Sequence, residues 1–168
     1  MPENLLVGVL GNSNSGKSYT WNTLFGRDVR TGRYMRPLYL TEVEEEYVEV
    51  FLVSGSPEER EAYVGEIITV ENPRIVLCSM QYNNVVIETL DWFVDNDYFL
   101  FIHWLNPGYS DDTSVPAHDH QGLMDRILAE ESLLGFRNGQ IPPTDRVQEM
   151  RDFVYGWASS RDLLLTDS

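Results

Sequence analysis

The spacing of apolar residues along the chain predicts strands that alternate with helices. A continuous apolar run over residues 5–10 is typical of a strand buried on both faces of a parallel sheet, and Arg74 to Gln81 and Tyr98 to Leu105 have the same character. Two further strands are predicted at Pro37 to Thr41 and Tyr47 to Ser54. We therefore expect an α/β fold of three layers, with a mostly parallel sheet of about five strands flanked by helices.

Helical signals fill the intervals between these strands. Residues 17–25 predict a short helix that ends at Gly26. The segment Ser56-Pro57-Glu58-Glu59 is typical of a helix start, with Ser56 as the N-cap and Glu59 completing a capping box. Later helices are predicted over 83–94 and over 123–134, the second ending at Gly135. A final helix carries one apolar face, formed by Val147, Met150, Val154 and Trp157.

Length and charge restrict the classes of function. No repeat or long linker divides the 168 residues, so we treat 1–168 as a single domain. The net charge of −15 repels phosphate backbones and anionic lipid, which disfavours nucleic-acid binding and attachment to a membrane surface. One cysteine, Cys78, and a start without a basic leader segment favour a cytoplasmic location.

The segment after the first predicted strand carries the clearest chemical signal. Residues 11–18, Gly-Asn-Ser-Asn-Ser-Gly-Lys-Ser, match the pattern G-x-x-x-x-G-K-[ST], with a strand before it and a helix after it. Glycines at both ends let the backbone N–H groups approach an anion closely, and the helix N-terminus adds its positive dipole. Lys17 is also the only lysine of the chain, since the other eleven basic residues are all arginine. We predict phosphate binding here.

Residues 11–18 resemble the phosphate-binding loop of the P-loop NTPase superfamily, which includes hydrolases, switches and kinases. The resemblance implies that a nucleoside triphosphate, ATP or less favourably GTP, binds together with Mg²⁺. It implies that Lys17 contacts the β- and γ-phosphates and acts in catalysis, that Ser18 binds Mg²⁺, and that Tyr19 lies near the nucleotide. The nucleotide-binding residues are then Gly11, Asn12, Ser13, Asn14, Ser15, Gly16, Lys17, Ser18 and Tyr19.

The sequence departs from that superfamily at the second acidic residue that usually helps to hold Mg²⁺. The predicted strands end without an aspartate, and Glu44 or Asp111 would have to reach the metal from a loop. The strand pair after the loop also resembles that of small GTPases, but Leu52 stands where their D-x-x-G motif begins. With its single lysine already used, the chain has no N-K-x-D motif for guanine. A typical GTPase is therefore disfavoured, and hydrolysis is expected to be slow or to depend on a protein partner or an oligomer.

The arginine residues support an alternative function, that of a small P-loop kinase. Small P-loop kinases, which the chain also resembles, hold acceptor and transferring phosphates with basic residues. Here Arg27, Arg30, Arg33 and Arg36 follow the first predicted helix, and Arg126, Arg137 and Arg146 come late in the chain. In the kinase alternative, Arg30 and Arg33 are catalytic and the γ-phosphate passes to a small acceptor. A solvated or partner-facing patch is the favoured explanation of the early arginines, and a third function is nucleotide binding without turnover.

Weaker signals lie in a polar loop and at strand ends. Residues 109–121 form a loop long enough to act as a lid, and it carries His118-Asp119-His120, residue types that could bind a metal. Gln81, His103 and Asn106 stand at or near strand ends, where side chains of parallel sheets face a ligand crevice.

Overall fold

The computed structural model describes residues 2–41 and 45–167. Within these residues the sheet has seven strands: β1 (Asn4–Gly11), β2 (Arg36–Tyr39), β3 (Glu46–Val53), β4 (Ile75–Gln81), β5 (Tyr98–Leu105), β6 (Ser132–Arg137) and β7 (Leu165–Thr166). The helices in the same part of the chain are α1 (Lys17–Phe25), α2 (Pro57–Arg60), α3 (Val64–Ile67), α4 (Val86–Asp95), α5 (Leu123–Leu128) and α6 (Thr144–Ser159).

The sheet is open and mostly parallel. Its strand order is β2-β3-β4-β1-β5-β6, in which β3, β4, β1, β5 and β6 run parallel, whereas β2 and β7 pair antiparallel with β3. Gly11, the last residue of β1, is level with Gln81 of β4 and Leu105 of β5. The carboxyl ends of these three strands therefore meet at one edge of the sheet.

Strand β1 lies in the interior of the sheet, between β4 and β5, and all eight of its residues are buried as a result. Leu5, Val7 and Val9 face a core that includes residues of α1 and α6, while Leu6 and Leu10 face a core that includes residues of α3, α4 and α5. Helices thus cover both faces of the sheet, as the continuous apolar run predicted. The α/β class and the mostly parallel sheet flanked by helices are confirmed.

The expected number of strands was wrong, because about five were predicted and seven are present. The additional strands are β6, at one edge of the sheet, and β7, which has only two residues. Residues 123–134 do not form one helix: α5 ends at Leu128, and the segment from Ser132 to Arg137 pairs with β5. An edge strand packs against only one neighbour, so its sequence lacks the continuous apolar run that marks a buried strand.

Other local predictions are confirmed. Ser56 caps α2, since its hydroxyl accepts the backbone N–H of Glu59 at 3.2 Å. Helix α4 buries Val86, Leu90 and Phe93. Helix α6 buries its predicted face of Val147, Met150, Val154 and Trp157.

Candidate phosphate-binding site

The loop from Gly11 to Ser18 leaves the central strand at the point where the chain path divides. After β1 the chain enters α1 on one face of the sheet, whereas after the neighbouring β4 it enters α4 on the opposite face. Divergent connections from adjacent parallel strands open a crevice beyond their carboxyl ends, which is where open α/β sheets bind ligands. The fold therefore places the predicted loop at the crevice.

Within the described chain, the backbone of this loop leaves several N–H groups without an acceptor at the start of α1. Asn14 and Gly16 have positive φ angles of 58° and 104°, and Gly16 immediately precedes α1. Among the described residues, no hydrogen-bond acceptor is found for the backbone N–H groups of Gly16, Lys17, Ser18 and Tyr19. Unpaired N–H groups at a helix N-terminus, together with the helix dipole, favour an anion.

The loop after β5 and the loop after β6 both pack against the phosphate-binding loop. The backbone N–H of Tyr109, after β5, donates to Ser15 O at 3.0 Å, and that of Ser110 donates to Asn14 O at 3.1 Å. A Cβ on Gly108 would lie 2.7 Å from Ser15 Cβ, and one on Gly139 would collide with Ser15 O. Glycine is required at both positions for the backbones to approach. The sequence did not reveal this role, because the three loops lie far apart along the chain.

The ammonium group of Lys17 is folded back onto its own loop. Nζ donates to Asn12 O at 2.7 Å and Gly11 O at 3.2 Å, with Ser15 Oγ at 3.4 Å. The side chain is buried, and burial lowers the pKa of Lys17, although the nearby carboxylate of Glu59 acts in the opposite direction. A buried ammonium group needs an anionic partner.

Glu59 of α2 supplies that anionic partner. Its Oε1 lies 3.4 Å from Lys17 Nζ, and its side chain is 42% exposed. The sequence predicts that Glu59 completes a capping box, but only the hydrogen bond from the Glu59 N–H to Ser56 Oγ forms, and the carboxylate points to the lysine. Because 42 positions separate the two residues, local sequence gave no sign of the contact. The structure thus places an acidic side chain beside the phosphate-binding loop, although none of the predicted strands ends in an aspartate.

The neighbouring Glu58 fixes α2 in this position. Its buried carboxylate accepts the backbone N–H of Gln81 at 2.7 Å and the hydroxyl of Thr89, so it joins α2 to the end of β4 and to α4. Burial raises the pKa of Glu58, against the opposing effect of these hydrogen bonds. Gln81, a predicted crevice residue, therefore acts here through its backbone.

A cavity of about 330 Å³ lies over the loop. Its lining comprises Asn14, Ser15, Gly16, Lys17, Ser18, Tyr19, Glu59, Tyr109 and Ser110. The exposed hydroxyl of Ser18 and the carboxylate of Glu59 are oxygen donors of the kind that Mg²⁺ takes in small number from proteins, with substrate phosphates and water completing its shell. The donor set therefore fits Mg²⁺ bound together with a phosphate chain. No group of three or more His, Cys, Asp or Glu side chains suited to a metal occurs in residues 2–41 and 45–167.

The early arginines lie outside this cavity lining. Arg30 and Arg33 are exposed, and their loop is held at the carboxyl end of β3, where the backbone N–H of Ser54 donates to Thr31 Oγ1 at 2.9 Å. The later arginines differ from one another. Arg126 pairs with Asp91 and Glu130, and Arg137 pairs with Glu149, whereas Arg146 packs beside the phosphate-binding loop.

The remaining predicted crevice residues have structural partners or are buried. Asn106 exchanges two hydrogen bonds with the backbone of Ala117, and so ties down the loop over 109–121. Asp119 accepts the N–H groups of Leu123 and Met124 at the start of α5. His103 is buried, and within the described chain neither ring nitrogen has a hydrogen-bond partner. Glu44 lies outside the described residues.

Comparison of the chain with protein-family models, with curated proteins and with solved structures found no match. No helix in the described ranges has the length and apolar character needed to span a membrane.

Proposed function

We propose that this protein binds a nucleoside triphosphate through residues 11–18, with ATP as the first candidate and GTP as the second. One observation carries the proposal. The loop stands beyond the central strand with unpaired N–H groups at the start of α1, and Lys17 in the same cavity already holds a carboxylate at 3.4 Å. Donors arranged in this way suit a chain of phosphates.

The contacts of Lys17 suggest how a triphosphate enters. The ammonium group donates hydrogen bonds to three loop oxygens and forms an ion pair with Glu59. The whole triphosphate chain carries more negative charge than one carboxylate and displaces Glu59, while the backbone N–H groups from Gly16 to Tyr19 bind phosphate oxygens. Ser18 and the released Glu59 would hold Mg²⁺, which neutralises charge on the β- and γ-phosphates when bound.

The same residues favour slow hydrolysis over fast hydrolysis. Glu59 is the carboxylate that lines the cavity, and it is partly exposed and paired with Lys17. Arg30 and Arg33, predicted to be catalytic in the kinase alternative, are absent from this lining. Their roles stay predictions, as do transfer to a small acceptor and binding without turnover.

Calorimetric titration of ATP and GTP, with and without Mg²⁺, tests the proposal. We expect micromolar binding by the wild type and at least a tenfold loss in Lys17→Ala. Arg27→Ala removes one exposed positive charge outside the cavity and is the matched control, for which we expect no change. Absence of binding by the wild type, or equal binding by Lys17→Ala, would contradict the proposal.

Formation of nucleoside diphosphate, measured with and without an added acceptor, separates the three candidate functions. A hydrolase releases phosphate with water alone, whereas a kinase requires an acceptor and loses turnover in Arg30→Ala and Arg33→Ala. A binding protein shows calorimetric binding and neither reaction.

A further inference from the structure

A second cavity of about 470 Å³ adjoins the one over the phosphate-binding loop. Gly16, Tyr19 and Tyr109 line both cavities, so the two lie side by side at the start of α1. The second cavity has a mainly apolar lining, completed by the loop after β6 and by α6: Gly139, Gln140, Ile141, Pro142, Pro143 and Arg146. The walls are held in place, because Gln140 Nε2 donates to Asp111 O at 3.0 Å and Thr113 O at 2.9 Å.

Arg146 is a buried charge without a carboxylate partner in the described chain. Its side chain is 5% exposed, and its guanidinium group donates to Thr20 Oγ1 at 3.1 and 3.3 Å and more weakly, at 3.4 Å, to the carbonyl oxygens of Asn138 and Ile141. All of these acceptors are neutral. Burial accordingly lowers the pKa of Arg146. A guanidinium group removed from water without a counter-ion is costly, and a bound anion would offset that cost.

The position of Arg146 indicates where such an anion would lie. Its Nη2 is 3.6 Å from the point that a Cβ on Gly16 would occupy, beside the unpaired N–H groups at the start of α1. Arg146 therefore stands at the boundary between the polar cavity over the loop and the apolar cavity next to it.

The rim of the apolar cavity offers two aromatic rings. Tyr19 is 63% exposed and Tyr109 is 69% exposed, although both line the cavity. Exposed rings beside an apolar wall of Ile141 and Pro142 suit a flat heterocycle, because aromatic side chains stack on the faces of bases.

We propose that the apolar cavity binds the nucleoside part of the ligand, with the base against Tyr19 and Tyr109, and that Arg146 binds the phosphate next to the sugar. The inference rests on the proposed function and extends it. The ligand is a nucleotide, recognised through its base as well as its phosphates, and not a phosphate chain alone.

Calorimetric titration of the full chain with Mg²⁺ complexes of ATP, GTP, CTP, UTP and inorganic tripolyphosphate tests this inference. We expect at least one nucleotide to bind tenfold or more tightly than tripolyphosphate. In Tyr19→Ala and Tyr109→Ala, binding of that nucleotide weakens fivefold or more, while tripolyphosphate binding changes less than twofold. Tyr34→Ala removes an equally exposed ring that lines neither cavity, and we expect no effect.

Each alternative outcome identifies what fails. Tripolyphosphate binding as tightly as every nucleotide would overturn the nucleoside cavity and leave the phosphate site standing. No binding of any probe would overturn the proposed function as well. Loss of affinity for both ligand types in the tyrosine variants, with an unchanged melting temperature, would also contradict a role confined to the base.

Arg146 is tested by substitutions that keep or remove its charge. We expect Arg146→Gln to weaken nucleotide binding tenfold or more, and Arg146→Lys to retain part of the affinity. Thermal melting without ligand separates this effect from a loss of packing between α6 and α1. Unchanged nucleotide affinity in folded Arg146→Gln would overturn the assignment of Arg146.

Discussion

Replacement of Glu59 by Gln changes the charge around Lys17 with little change in shape. The carboxylate lies 3.4 Å from the ammonium group, so it competes with an incoming phosphate. The substitution removes this competing anion and keeps the backbone N–H bond to Ser56. We therefore expect Glu59→Gln to bind Mg²⁺-free tripolyphosphate more tightly than the wild type.

The distance and the exposure set the size of the effect. Two unit charges at 3.4 Å attract each other by about 1 kcal/mol at the dielectric constant of water. The carboxylate is 42% exposed, and exposed ion pairs contribute about 1 kcal/mol or less, so the upper limit is about a fivefold gain in affinity. Raising the salt concentration should reduce the gain.

Calorimetry in the absence and presence of Mg²⁺ measures how Glu59→Gln changes the affinity for tripolyphosphate and how it changes the effect of the metal. Without metal we expect the gain described above. With Mg²⁺ we expect the metal to improve binding less than it does in the wild type, because the neutral amide of Gln is a weaker ligand than the carboxylate. Glu66→Gln removes the same charge from an exposed position on α3 and is the control. Weaker or unchanged metal-free binding by Glu59→Gln would refute the competition between Glu59 and phosphate.

Two further predictions concern stability. Burial lowers the pKa of His103 to about 4. Between pH 6.5 and 4 the unfolded chain therefore binds a proton at this residue that the native chain does not bind. As the pH falls through this range, the free energy of unfolding decreases by about 3 kcal/mol. Urea denaturation at pH 7, 5.5 and 4.5 should show that His103→Phe loses less unfolding free energy than the wild type as the pH falls. The exposed control His118→Gln should lose as much as the wild type. Equal losses in the two variants would contradict this prediction. Gly139→Ala drives a Cβ into Ser15 O, and we expect about 2 kcal/mol of destabilisation together with weaker tripolyphosphate binding. Gly156→Ala, whose Cβ meets nothing within 4 Å, should instead be neutral or stabilising in the same denaturation assay, and an equal loss in both glycine variants would show that the collision is not the cause.

The sequence predicted those parts of the fold that depend on local signals. The continuous run over 5–10 identified a strand buried on both faces, and Ser56 with Pro57 identified the start of α2. Strand β6 could not be found in this way, because none of its residues is fully buried and its pairing with β5 is a tertiary contact. The two residues of β7 carry no pattern at all.

The candidate site likewise has one part that the sequence predicts and another part that only the fold shows. Residues 11–18 form a continuous motif, and their position beyond β1 follows from the strand before them and the helix after them. The partners of that loop come from distant segments: Glu59 after β3, Gly108 after β5, and Gly139 and Arg146 after β6. Each has an ordinary local explanation, as a capping residue, a turn glycine or a helix arginine, so only the fold reveals their shared location.

The amide signals of the loop in a ¹H–¹⁵N correlation spectrum test the central claim most directly. If residues 11–18 bind a phosphate chain, adding Mg²⁺-ATP shifts the signals of Gly16, Lys17 and Ser18, whose N–H groups have no acceptor elsewhere in the described chain. The Glu59 signal should shift with them as its carboxylate leaves Lys17. Unchanged signals from the loop at saturating nucleotide, or shifts confined to other parts of the molecule, would contradict the account.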